Sequence, residues 1–147
     1  MNYLRIIDEK IIEYLESIKT TLKIDERNVT ISPYLVTEGF LEEYPNIIVD
    51  TPIPTGYNTK STTLNSGYCD VQVLIHCMDK TNASSSDDKQ AEIRVGDLAI
   101  KTVFELNKIL IPHVIGYTTT FQAPQEIGNK IKNITIEINL KVLIQEC

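Results

Sequence analysis

The sequence has no tryptophan, only three cysteines, fewer basic than acidic residues, and no apolar run near the ~20 residues that cross a bilayer. Each scarcity removes a class of function. With three phenylalanines, seven tyrosines and dispersed basic residues, little is present to build a stacking platform for nucleic-acid bases. Fourteen Lys and Arg against twenty Asp and Glu leave a net charge of −6 and a pI near 4.9. That balance argues against general binding to phosphate backbones and against docking on anionic membranes. Cys69, Cys77 and Cys147 are too few and odd in number for a disulfide framework, and suit free thiols in a reducing compartment. The opening MNYLRIIDEKIIEYLESI places charges throughout its apolar residues, unlike the apolar centre of a secretory signal. The chain is therefore expected in a cytoplasm, and its sequons at Asn28, Asn82 and Asn133 are expected to be chance matches.

What is present is pattern. In KIKNITIEINLKVLIQ, from Lys130 to Gln145, Ile134, Ile136, Ile138, Leu140, Val142 and Ile144 recur at every second position. Thr135, Glu137, Asn139 and Lys141 fill the gaps, with Leu143 as the apolar exception, so a long strand with one apolar face is predicted. Residues 2–23 predict a helix with a stripe of Leu4, Ile7, Ile11, Tyr14, Ile18 and Leu22, and Arg5 within reach of Glu9. Val29 to Val36 reads as a short or edge strand interrupted by Pro33, and a further strand starts at Ile47 to Val49. Residues 50–68, DTPIPTGYNTKSTTLNSGY, read as a long irregular loop or an extended hairpin tip. This stretch is the expected contact arm, with Thr55, Tyr57, Lys60, Leu64 and Tyr68 as its candidate partner-contact residues.

Cys69 to Met78 predicts a central strand, with Val71, Val73, Ile75 and Cys77 opposite Gln72, Leu74, His76 and Met78. Ser85-Ser86-Asp87-Asp88 fits a capping box for a helix from about Asp87 to Lys108, whose apolar face is Ala91, Val95, Leu98, Ala99, Val103 and Leu106. Gly96 within that helix suggests a close crossing over another backbone. His113 to Phe121 predicts a strand with Ile115, Tyr117, Thr119 and Phe121 on one face, and QAPQEIGN turns the chain back. The expectation is one α+β domain over 1–147: a mostly antiparallel sheet with two amphipathic helices on one face.

Chemistry is harder to find. Cys69, His76, Cys77 and His113 form a tempting zinc set, but cysteines eight residues apart on one straight strand stand ~26 Å apart, and His76 and Cys77 point to opposite faces. Cys77 with His113 as a nucleophile and base lacks a strand-to-helix turn to present it, and reads more simply as a small apolar residue of a sheet face. Asp79, Asp87 and Asp88 lack calcium-loop spacing, and Gly116 and Gly128 belong to no phosphate-binding pattern. No catalytic residue, cofactor or metal site is nominated, and no nucleic-acid or membrane partner.

The amphipathic first helix, the strand leading into IIVDTPIPTGY, the central CDVQVLIHCMDK, the helix DDKQAEIRVGDLAIKTVFELN and the closing TTTFQAP…ITIEINLKVLI hairpin follow one another in an order that resembles the tail terminator (tail completion) proteins of long-tailed bacteriophages and related contractile particles. The resemblance covers nearly the whole chain as a pattern of elements, without an invariant motif. It implies a non-enzymatic virion protein, made in the host cytoplasm. Copies would form a ring, most commonly a hexamer, that caps the tail tube protein and meets the head–tail connector. Another connector or tube-like component, or a small enzyme with a site assembled by tertiary structure, are the alternatives at this level.

Overall fold

The computed structural model describes residues 2–32, 44–59, 66–81, 85–127 and 130–145. In chain order these form α1 (Tyr3–Ile18), β1 (Thr30–Ser32), β2 (Asn46–Val49), β3 (Ile53–Thr59), β4 (Ser66–Lys80), α2 (Ser85–Leu106), β5 (Val114–Phe121), β6 (Gln125–Ile127) and β7 (Ile131–Gln145). The fold is α+β, with two helices on one face of a seven-stranded, mostly antiparallel sheet; β1 with β2 is the parallel pair.

Its axis is a two-strand ribbon. β4 and β7 pair without a break from Ser66↔Gln145 to Lys80↔Ile131, 15 residues on each side and ~50 Å long. The alternation in both strands explains why the register holds: a slip of one residue would turn every apolar side chain of β7 to the wrong face. On the helix side, Ile75 and Ile136 lie opposite each other, as do Val73 and Ile138, and Cys77 and Ile134. α1 contributes Ile7, Ile11 and Leu15 to this core, and α2 contributes Val95, Leu98 and Ala99. β2 and β3 share one edge of β4, whereas β5 and β6 share the free edge of β7.

Several expectations shift. α1 stops at Ile18, before Thr20 and Thr21, whose branched side chains favour helix less. Its buried side is centred on Leu15, with Tyr14 and Ile18 only half-buried. Leu22 reaches the core from the turn that follows. α2 is already helical at Ser85, so Ser85 and Ser86 lie inside its first turn, and it ends before Lys108. At Gly96 the helix crosses a side chain, not a backbone: an added Cβ would stand 3.7 Å from Ile134 Cδ1. The described part of β1 is Thr30–Ser32, and Pro33 to Val36 lie outside the described residues.

For residues 50–68 the structure decides between the two expected forms. Their described part is the hairpin and not the irregular loop: β3 pairs antiparallel with β4 from Ile53↔Gln72 to Thr59↔Gly67. The proline and glycine that suggested a loop sit at a bulge between Pro54 and Gly56, on an outer strand where a missing N–H costs no ladder bond.

Candidate functional site

Most polar chemistry in the sheet is spent on holding it together. On the face away from the helices, His76 Nε2 donates to Asp50 Oδ2 at 3.0 Å, while Thr135 Oγ1 lies 2.9 Å from His76 Nδ1 and accepts from Asn133 Nδ2 at 3.1 Å. Gln72 donates to Glu137, which also accepts from Thr120 Oγ1 at 3.1 Å. On the helix face, the buried Asp79 accepts from Arg27 Nη2 at 2.6 Å, Arg94 Nε at 2.7 Å and the Lys80 amide at 2.9 Å. Arg94 continues to Asp87 at 3.4 Å. Burial alone would lower the Arg94 pKa, but the hydrogen bond and charge of Asp79, with those of Asp87, outweigh it and raise it. The cation shared by Asp79 and Asp87 is thus a guanidinium. Arg27 also explains how Asp25 and Glu26 hold positive φ angles of 49° and 63°: its salt bridge ties down the turn they form.

The four residues considered for zinc are dispersed. Cys77 is fully buried, and burial pushes its thiol up to about 12 in spite of a hydrogen bond with Thr102. His113 meets the ring of Tyr3 edge-on at 5.4 Å, and Cys69 is half-buried farther along β4. Among the described residues no group of three or more His, Cys, Asp or Glu is placed to hold a metal ion.

The contact arm is more informative. Tyr57 lies on β3 opposite Cys69, on the helix side of the sheet but beyond the helices, and is 47% exposed. Ile53 is exposed on the same strand. Thr55 closes the bulge by donating to the Asp70 carbonyl at 3.2 Å. Tyr68 belongs to the β4 ladder, half-buried, with Lys141 Nζ 5.2 Å from its ring centre. Lys60 and Leu64 lie outside the described residues.

The opposite edge carries a feature the sequence reading passed over. Between α2 and β5, Leu110 is 94% exposed, and it borders a groove of about 190 Å³ lined by Val103, Leu106, Ile111, Val114 and Leu140. Ile115, Tyr117 and Phe121 extend the exposed apolar surface along β5. A bulge between Val114 and Gly116 displaces Ile115 from the expected alternation, so Tyr117, Thr119 and Phe121 pair across to Leu140, Ile138 and Ile136 without it. The signal was available in Ile109-Leu110-Ile111, an apolar triplet at a position where connectors are ordinarily polar.

No helix among the described residues is long and apolar enough to cross a membrane. No protein-family model matches the sequence, and no curated protein is significantly similar to it.

Proposed function

We propose that this protein is a structural assembly subunit, a tail terminator whose copies close into a ring on the end of a phage tail tube. The ring stops growth of the tube and offers a surface to the head–tail connector. One observation carries the reading: uncovered apolar side chains sit at both edges of a single sheet, Ile53 and Tyr57 on one side, Leu110, Ile115, Tyr117 and Phe121 on the other. A soluble acidic chain gains by covering such surface, and a contact between two unlike patches is head-to-tail, closing into a ring where the rotation allows. The polar groups favour a structural role, because Asp50, His76, Thr135, Asp79 and Arg94 bind one another within the sheet and its helices and do not converge on the apolar groove.

The placement on a tail tube, and the number six, rest on the resemblance in the order of elements. Electron microscopy of particles made without this protein tests the reading. Tails of uncontrolled length, or complete tails that fail to join heads, are expected; normal infectious particles would overturn it. Light scattering of the purified protein should give a hexamer, or a monomer that becomes hexameric on tube ends. A stable dimer indifferent to tube ends would exclude the ring.

A further inference from the structure

Two of the outer strands, β3 and β5, share a property that edge strands rarely combine with exposure. β3 (IPTGYNT) and β5 (VIGYTTTF) contain no charged residue between them, on a chain with 34 charged side chains in DEKR by the totals of 14 basic and 20 acidic. Proteins ordinarily protect open edges with lysines, inward charges, prolines or bulges. β3 has Pro54 and a bulge near its start, but its ladder resumes from Gly56 to Thr59. β5 has a bulge at its start, after which Gly116 to Phe121 runs on as a regular outer strand with no strand beyond it among the described residues.

Direction also matches. β3 is antiparallel to β4, β4 to β7 and β7 to β5, so β3 and β5 of one copy run in opposite directions. A second copy displaced along the sheet therefore presents its β3 antiparallel to this copy's β5, the better-bonded arrangement. Faces match as well. Tyr57 lies on the helix side, the same side as the groove bordered by Leu110 and Tyr117. On that shared face Tyr57, Tyr117 and Phe121 are each about half exposed and Leu110 almost wholly so, an apolar centre for an interface though not by themselves the ~1,200 Å² at the lower end of standard ones. Strand backbones and flanking residues add to it, and each ring member has two such junctions. Pairing β5 with another β5 would cover one edge and leave Ile53 and Tyr57 in water.

On the ring reading above, we propose that β5 of one copy receives the β3 arm of the next as an added antiparallel strand, with Tyr57 seated against the Leu110 groove. The sheet then continues from subunit to subunit.

Asn58 and Thr118 lie on the face away from the helices, one on each edge, and both are exposed, so charges can be placed there without touching the core. The test compares wild type with Asn58→Lys/Thr118→Lys, which sets like charges at every junction, and Asn58→Lys/Thr118→Glu, which sets opposite ones. All three are checked for native circular dichroism and sedimented over a range of concentration, alone and with tail tubes. The like-charge variant should associate about fivefold more weakly per junction, with the loss reduced by salt, while the opposite-charge variant assembles as wild type does. Equal assembly by all three would place the interface elsewhere and leave the ring intact. Loss of assembly in the opposite-charge variant as well would exclude β3 as the partner of β5. Wild type that stays monomeric even on tube ends would remove the ring and this junction together.

Discussion

The two ends of the β4–β7 ribbon are built for different purposes. Around Cys77 and Ile134 the ribbon is flanked by β2 and β6, and Ile47, Ile48, Val49, Ile75 and Ile136 are sealed from solvent. There Asp79 ties the turn after α1 and the body of α2 to the same strand. Around Tyr68 and Leu143 the same two strands have half-buried side chains, and their neighbours β3 and β5 expose Tyr57 and Ile115. The backbone ladder is equally regular at both ends; the difference is in what covers it. Stability is concentrated where side chains close on one another, and affinity for a partner remains where they do not.

The contrast is broken most directly at the sealed end. Asp79→Ala leaves Arg94 mostly buried with only a longer contact to Asp87, and should cost about 3 kcal/mol in urea unfolding. A loss below about 1 kcal/mol would show that the lock is ornamental. Gly96→Ala at the same end should stabilise by ~0.5–1 kcal/mol, because the new methyl meets Ile134 at ordinary contact distance while the helix gains propensity. Destabilisation would mean that the α2–β7 crossing is tighter than 3.7 Å implies.

α1 reaches both regions, and Asp8 on it supplies a smaller effect. Burial, and then the charge of Glu9, raise the Asp8 pKa, and its Oδ1 has no hydrogen-bond partner among the described residues. A carboxyl whose folded pKa exceeds its unfolded one opposes folding when ionised, so its penalty is present above the raised pKa and absent below the unfolded one. Asp8→Asn should raise the melting temperature slightly at neutral pH, and the gain should fade as acidification protonates wild-type Asp8. A gain independent of pH would point to helix propensity instead. At the open end, Leu110→Ser should change unfolding free energy by less than ~0.5 kcal/mol while weakening self-association. A large loss of stability there would make the groove part of the core and dissolve the contrast between the ends.

Sequence periodicity exposes the sealed end better than the open one. β7 is legible because Ile134 to Ile144 answer to a single buried face, and α2 because Ala91, Val95, Leu98 and Ala99 fall on one side. β3 is legible only as one of two alternatives: Pro54, Gly56 and Asn58 have the composition of a loop as much as of a hairpin, and the strand exists through its hydrogen bonds to β4, a register that local pattern does not reveal. The Asp79 lock is hidden for a related reason, since Arg27 lies 52 residues from it and Arg94 lies 15. Of the five contact candidates, Tyr57 and Thr55 fall on the outer strand and Tyr68 within the ladder. The second edge escaped notice because a bulge disturbs the alternation of β5, and Leu110 belongs to no regular element.

The unbroken ribbon also sets an order of events during folding. Gln72 and Glu137, partners across its middle, are 65 residues apart in sequence, so closing the ribbon carries the loop entropy of a distant contact. Until β7 has left the ribosome, β4 lacks its longest neighbour, and one of its edges waits without ladder partners. At ~5–20 residues per second, that interval lasts several seconds. The nascent chain is then most exposed to chaperones and to mispairing with its siblings, along the edge of β4 that β7 will take.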